Sequence, residues 1–509
     1  MSMSLVSVQN ISAAGLRAAA NVIYRGGKSQ LIAMFANDER ELDNCFAIYC
    51  LFAEREAPKT PFRLLRAVVP ASGPLEFPSL TPLTAAAAWY EREIHDLFGL
   101  TPLGHPDLRR LVLHENWPEG LYPLRRDFNQ SHVDTADESY LIPRVAGEGV
   151  FEVPVGPIHA GIIEPGHFRF SQAGESVINL EAKLFFTHRG IEKSVEGMPI
   201  ERAILSVERI CGACSVSHAI SFSQAVESLA ELKISYRAQL IRVIAAELER
   251  LYNHIGDVGN LCAGLGFAVG TSHGARLKEK LMRINETISG NRFLRGWVVP
   301  GGVTLNLPAA MAIDLVVELA AIETDFAELM ALLRENEAFL NRVETTGILP
   351  HQAALDLGVV GVAARASGVA EDLRHDHPYS CYNELDFRTP VYKDGDVAAR
   401  LWVRADEVVV SIAIIRQAVA RLADAPPALC LKLPPITPYK QAFGWSESAR
   451  GANIHWLMTG KDNTVYRCFV RSASYSNWPS LTVAVPGDII PDFPLINKSF
   501  ELCYACLDR

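Results

Sequence analysis

Several things are scarce or missing in this sequence, and each absence excludes a class of protein. The 509-residue chain has no basic excess: 48 Lys and Arg stand against 58 Asp and Glu, a formal charge of −10. A nucleic-acid binder needs a basic face, so no nucleic-acid partner is expected. No run of about eighteen apolar residues occurs, so no membrane-spanning helix is expected. The start, MSMSLVSVQNISAAGLRAAANVIYRGG, lacks a basic region followed by a continuous apolar stretch. It predicts a short helix ending at Gly26-Gly27, not a secretory leader. Ten cysteines spread over so long a chain are not the dense disulfide framework of a small secreted domain.

What is present is an ordinary globular balance, 49% apolar and 21% charged, in a chain long enough for two or more domains. The first 127 residues predict an α+β unit. Leu31–Phe35 and Phe62–Val69 suit strands, and Leu83–Phe98 suits a helix. A polar stretch over 128–148 predicts a linker, and 149–509 predicts a second, mainly helical domain. Apolar residues recur at helical spacing in Ile204–Leu232, Gln239–Val258, Ala309–Val343 and Ala398–Leu422. Past Leu433 the chain is proline-rich, with a strand-like run at Val465–Arg471.

Two C-x-x-C pairs stand out, Cys211/Cys214 and Cys503/Cys506. Four thiolates suit a tetrahedral zinc site, an iron–sulfur cluster or a binuclear centre. A zinc ribbon normally closes a short loop, whereas these pairs lie at opposite ends of the second domain. No thioredoxin-like βαβ pattern surrounds either pair. The other six, Cys45, Cys50, Cys262, Cys381, Cys430 and Cys468, are expected to be small buried hydrophobes.

The residues around the pairs carry a resemblance. Arg209-Ile210-Cys211-Gly212-Ala213-Cys214, with His218 following, resembles the first metal motif of NiFe hydrogenase large subunits. Cys503-Tyr504-Ala505-Cys506-Leu507-Asp508-Arg509 resembles their second motif in the formate-hydrogenlyase branch. Similar likenesses run through Gly156–His159, Glu164–Arg169, His188–Lys193, Arg365–Gly368 with Asp372, Arg374 and Asp376, and Ala449–Gly451 with Asn453–Trp456. In the first domain, Glu91–Leu100, Gly104–Arg110 and Tyr122–Arg125 resemble the 30-kDa hydrophilic subunit of respiratory complex I. Two positions depart from the pattern: Glu501-Leu502 stands where the family has Asp-Pro, and Ala449 where it has Pro.

The resemblance implies a catalytic subunit that forms or oxidises hydrogen at a NiFe centre whose iron carries CO and cyanide. It implies nickel ligation by Cys211, Cys214, Cys503 and Cys506, with Cys214 and Cys506 bridging to iron and a cysteine thiolate, Cys503, acting as base. Arg450 would place a fixed cation at the open metal position and beside the cyanides; otherwise it is a loop arginine. Glu164 would be the first proton relay beside Cys503; otherwise it is a loop carboxylate before Pro165. His218 would hydrogen-bond a bridging sulfur, the alternative being a satisfied core histidine. His159, Asp372, Arg374 and Asp376 are weaker candidates, of a kind often found in turn and cap chemistry.

No further cysteine set could hold an iron–sulfur cluster in this chain. The resemblance therefore implies an iron–sulfur small subunit of the complex I type, a ferredoxin-like electron-transfer subunit, antiporter-like membrane subunits and formate dehydrogenase as partners. It places the chain on the cytoplasmic face of the inner membrane, held there by those subunits. The alternative is a hydrogenase-related scaffold of a complex I-like assembly without hydrogen turnover. Arg509 is expected to be a processed or natural end, with the tail buried when metal is bound.

Overall fold

Strands with continuous apolar runs need cover on both faces, and the first unit is built from such runs. The computed structural model describes residues 6–55, 62–129, 133–135, 142–159 and 163–509. Its first sheet consists of β1 (Val6–Ser12), β2 (Ser29–Glu39), β3 (Cys45–Glu54) and β4 (Phe62–Pro70), in the order β1-β4-β3-β2. β1 runs parallel to β4 and the other pairs are antiparallel. β2 is an edge strand, yet every residue in it is buried. The second unit explains this: Phe35 stacks on Phe469 at 4.2 Å, and the Tyr466 hydroxyl donates to the Asp38 carbonyl at 3.3 Å. The expected N-terminal helix is α1 (Leu16–Tyr24), shorter than anticipated because β1 takes the residues before it. Helix α2 (Ala88–Phe98) closes the unit.

The second unit begins with an antiparallel sheet, β5 (Val150–Val155), β6 (His167–Ala173) and β7 (Ser176–Lys183). Helices α3 (Ile200–Val207), α4 (Ser215–Leu229), α5 (Tyr236–Gly264), α6 (Ala268–Ser289), α7 (Ala309–Glu335) and α8 (Val397–Leu422) follow. The single helix expected over Ile204–Leu232 is two, because the turn carrying Cys211 separates α3 from α4. The stretch expected to run to Val343 likewise breaks at Asn336, whose side chain accepts the Phe339 N–H and caps a new helix. Helix α6 was not foreseen. Its buried Leu277, Leu281 and Ile288 form a thin stripe among Lys, Glu and Arg. It meets α5 where Gly259 faces Gly274; a Cβ on Gly274 would lie 2.6 Å from the Gly259 Cα.

The second unit is mainly helical, as expected, with strands in the tail past Leu433. Residues 441–471 form an antiparallel meander of β8 (Gln441–Ser448), β9 (Gly451–Thr459) and β10 (Val465–Arg471). Only the last had been read as strand-like. β9 is buried at every residue, so it shows no alternation to mark it. Helices α9 (Ala473–Ala484), α10 (Phe493–Phe500) and α11 (Tyr504–Asp508) complete the chain. Cys430 is exposed, against the expectation that it would be a buried hydrophobe, while Cys45, Cys50, Cys262, Cys381 and Cys468 are buried. Among the described residues, no helix is long and apolar enough to cross a membrane.

Candidate metal centre

Both cysteine pairs sit at helix starts, where unsatisfied N–H groups and the helix dipole favour a thiolate. Cys214 is the N-cap of α4, and the Cys211 sulfur accepts the Ala213 N–H at 3.1 Å. Cys503 is the N-cap of α11, and its sulfur accepts the Cys506 N–H at 3.3 Å. Folding brings the two turns together. The Cys211 and Cys503 sulfurs are 3.3 Å apart, and those of Cys211, Cys214 and Cys506 lie within 4.8 Å of one another. These are contact distances, well beyond a disulfide bond of about 2.05 Å. Cys211, Cys214 and Cys506 are buried, whereas Cys503 is half-buried.

The electrostatics fit a cation. Hydrogen bonds from Cys214, Cys503 and Cys506 hold the Cys211 thiol well below its usual range. The hydrogen bonds with Cys211, together with burial, in turn push Cys214, Cys503 and Cys506 well above theirs. A bound divalent ion would favour the thiolate form of all four. Soft sulfur donors gathered in a buried pocket suit nickel and low-spin iron as well as zinc.

The expected neighbours are largely in place. His218 lies one turn into α4, and its Nε2 is 3.3 Å from the Cys506 sulfur. Its Nδ1 pairs with Nε2 of His455 on β9 at 2.9 Å, and burial pushes His218 down to about 4. Arg450 occupies the tip of the β8–β9 hairpin, whose Ser448 and Gly451 pair across a two-residue turn. Gly451 there has φ +125°, and a Cβ would lie 2.7 Å from the Gly361 nitrogen, so only glycine allows this turn. The buried Arg450 guanidinium donates to both oxygens of Asp257 on α5, one of them at 3.0 Å. Its Nη2 is also 3.9 Å from Glu501. Burial raises the Asp257 carboxyl, but Arg450 and Arg404 more than offset this and hold it low.

Glu164 accepts the Ala505 N–H at 2.6 Å, between Cys503 and Cys506, and burial raises its carboxyl. The other candidates do not reach the sulfur cluster. His159 bonds the Pro157 carbonyl of its own loop at 3.0 Å and faces the Tyr504 ring at 6.2 Å. The Asp372 side chain accepts the Arg374 N–H at 3.0 Å, and Asp376 accepts the Asp372 N–H at 2.9 Å, which is cap and turn chemistry. The Arg374 side chain pairs with Glu247 on α5 at 3.1 Å. Asp257 was missed in the sequence because one acidic residue in a long charged helix carries no signal of its own. His455 was noticed only as part of a motif.

The first unit and the cysteine-bearing second unit define the class. Residues 9–133 match the family of the respiratory-chain NADH dehydrogenase 30 Kd subunit. Residues 189–263 match nickel-dependent hydrogenase, and 265–435 and 431–509 match the respiratory-chain NADH dehydrogenase 49 Kd subunit. Formate hydrogenlyase subunit 5 of Escherichia coli (strain K12) is 36% identical, over 94% of this chain and 84% of that protein. Hydrogenase-4 component G of the same organism is 34% identical over the same shares. Among solved structures, a chain of the membrane-bound sulfane sulfur reductase, an archaeal respiratory membrane complex, is similar with a TM-score of 0.66 and 28% identity. The match covers 72% of this chain and all of that one. The chain belongs to the family of formate-hydrogenlyase and hydrogenase-4 large subunits, which joins a complex I 30-kDa-like unit to a hydrogenase-like one.

Proposed function

We propose that this chain is the catalytic subunit of a membrane-associated hydrogenase, interconverting H2 with protons and electrons at a NiFe centre held by Cys211, Cys214, Cys503 and Cys506. The observation that carries the reading is the meeting of four sulfurs from two distant helix starts beside His218, with Cys214 near enough to act on the Arg450 charge. When bound, such a centre supplies the open metal position at which hydrogen is split or formed heterolytically. The protein's own residues do the rest. Asp257 grips Arg450 through both oxygens, fixing a cation where negative charge must be stabilised. His218 fixes the orientation of the Cys506 sulfur. Cys503, the half-buried cysteine of the set, takes up or releases the proton, and Glu164, bonded to the backbone beside it, passes the proton outward.

The division into 1–127, a linker over 128–148 and 149–509 is part of this proposal, supported by the match of 9–133 to a 30 Kd subunit. So are CO and cyanide on the iron, the iron–sulfur, ferredoxin-like, antiporter-like and formate dehydrogenase partners, and peripheral attachment at the cytoplasmic face. A hydrogenase-related scaffold without hydrogen turnover is the second reading. It is favoured by the 49 Kd NADH dehydrogenase match over most of the second half, and by Glu501 in place of the family's aspartate. Elemental analysis for nickel and iron, with infrared spectroscopy for bound CO and cyanide, separates the two. Bands from both diatomics together with nickel are expected; a chain holding zinc or no metal leaves the scaffold reading.

A further inference from the structure

Glu93 belongs to the first unit, on α2, and has no part in the chemistry above. Its buried carboxylate accepts from the Arg509 guanidinium at 2.6 Å, across the boundary between the units. The same guanidinium donates to Glu192 at 3.0 Å and to the Val470 carbonyl. The second oxygen of Glu192 pairs with Arg467 at 2.8 Å. Two carboxylate and two guanidinium side chains thus form a buried chain of alternating charge, Glu93–Arg509–Glu192–Arg467. Without Glu93, the two arginine side chains share one carboxylate, Glu192, out of water, which is costly.

The two arginines are not equally free to leave. Arg467 lies in mid-strand on β10, whereas Arg509 follows the five-residue helix α11. The cheapest relief is for Arg509 to swing out. The residues before it would follow, because residues 508 and 509 are anchored side by side on the 185–189 segment. The Arg509 carbonyl accepts the Arg189 N–H at 2.9 Å, and the Asp508 carboxylate accepts the Thr187 N–H at 2.9 Å and the Phe185 N–H at 3.2 Å. Cys506 is three residues away and Cys503 six.

We propose that Glu93 is a positioning residue of the cysteine centre. By neutralising Arg509 across the unit boundary, it holds closed the segment that brings Cys503 and Cys506 against Cys211 and Cys214. The 30-kDa-like unit then does more than dock: its α2 completes the lock on the second cysteine pair. The link to metal rests on the reading of the four cysteines as its ligands; the link to closure does not.

The test is hydrogen exchange on the full-length, metal-free chain carrying Glu93→Gln or Glu93→Asp. In Glu93→Gln, amides of residues 503–509 should exchange about tenfold faster while β2 and β3 amides keep their protection. Glu93→Asp, which retains the charge, should restore most of the protection. An unchanged terminal segment, or acceleration spread evenly over the first sheet, overturns the proposal. Arg509→Gln leaves the first unit's own residues intact and removes the cation that Glu93 binds, so it must loosen the same segment; if it does not, the lock is absent. On nickel-loaded protein, Glu93→Gln should release nickel to a chelator about tenfold faster, as expected of local opening. A parent chain that never binds nickel would defeat the metal reading, and the exchange result would still judge the lock.

Discussion

In the first sheet the buried side chains are mostly apolar, among them Met34, Phe35, Ile48, Leu51, Leu64 and Leu65, with Asn37, Asp38 and Glu39 buried at the end of β2; between α5 and α8 they include Glu247, Arg250, His254, Asp257, Arg400, Arg404 and Glu407. Both layers are buried, but they are held largely by different physics. Apolar burial is non-directional and scales with area, so the sheet tolerates small changes of shape. Buried charges tolerate none, because each needs its partner in place. His254 pairs with Glu407 at 2.7 Å, Arg365 bridges Glu407 and Glu447 at 2.7 and 2.9 Å, and Arg404 reaches Asp257 at 3.3 Å. That network ends at Arg450, beside the cysteines. The second unit thus trades stability for orientation, and it does so in the region around the candidate centre.

The largest break in this comparison is Cys506→Ser. A hard hydroxyl replaces a soft sulfur that also receives His218, so nickel should fall from about one per chain to about none. The first sheet, sharing none of these contacts, should keep its circular dichroism and exchange protection. A variant that retained full nickel would remove the cysteine assignment. Next comes Arg365→Met, which leaves the buried Glu447 without its hydrogen-bonded cation. It should cost ~3–5 kcal/mol in urea unfolding. Ile48→Val, a single methyl in the equally buried sheet, should cost ~1 kcal/mol. Equal costs would mean that the two layers are not held differently after all.

The same contrast decides what could be read from the sequence. Continuous apolar runs such as Leu31–Phe35 and Phe62–Val69 announce strands, because their partners need only be apolar. The cysteine pairs announce themselves because a thiolate pair at that spacing serves few purposes. The charged layer is illegible. A helix bearing Glu247, Glu249, Arg250 and Asp257 reads as half solvent-facing, yet α5 is buried nearly all round. Which guanidinium meets which carboxylate depends on chain crossings, as with Arg509 and Glu93, 416 positions apart. Helix α6 was lost for a related reason, its narrow apolar stripe being outweighed by the charges beside it.

Arg450→Lys tests whether the network's end serves orientation. Lysine keeps the charge but cannot grip both oxygens of Asp257. Nickel content should stay at the parent value while hydrogen turnover falls about 10²-fold. Loss of the metal with the activity would make Arg450 structural, and the charged layer a scaffold only.

A pH-dependent effect is expected where the two layers meet. His377 stacks on Phe62 of β4 at 4.0 Å, and burial there pushes it down from 6.5 to about 4. A depressed histidine is neutral in the folded chain while the unfolded chain already takes up a proton. Its contribution is therefore complete above pH 6.5 and is lost progressively as pH falls toward 4. The neighbouring Asp376 works in the opposite sense, since burial raises its carboxyl from 3.8 to about 6 and favours the folded state as pH falls through that value. Total stability is thus a poor readout, and the difference between parent and His377→Phe is the right one. Phenylalanine keeps the stack on Phe62 and cannot titrate. Between pH 7 and pH 5 the parent should lose about 2 kcal/mol relative to His377→Phe, by urea midpoints at the two pH values. Parallel losses in both proteins would show that this seam is held like the sheet, by apolar contact alone.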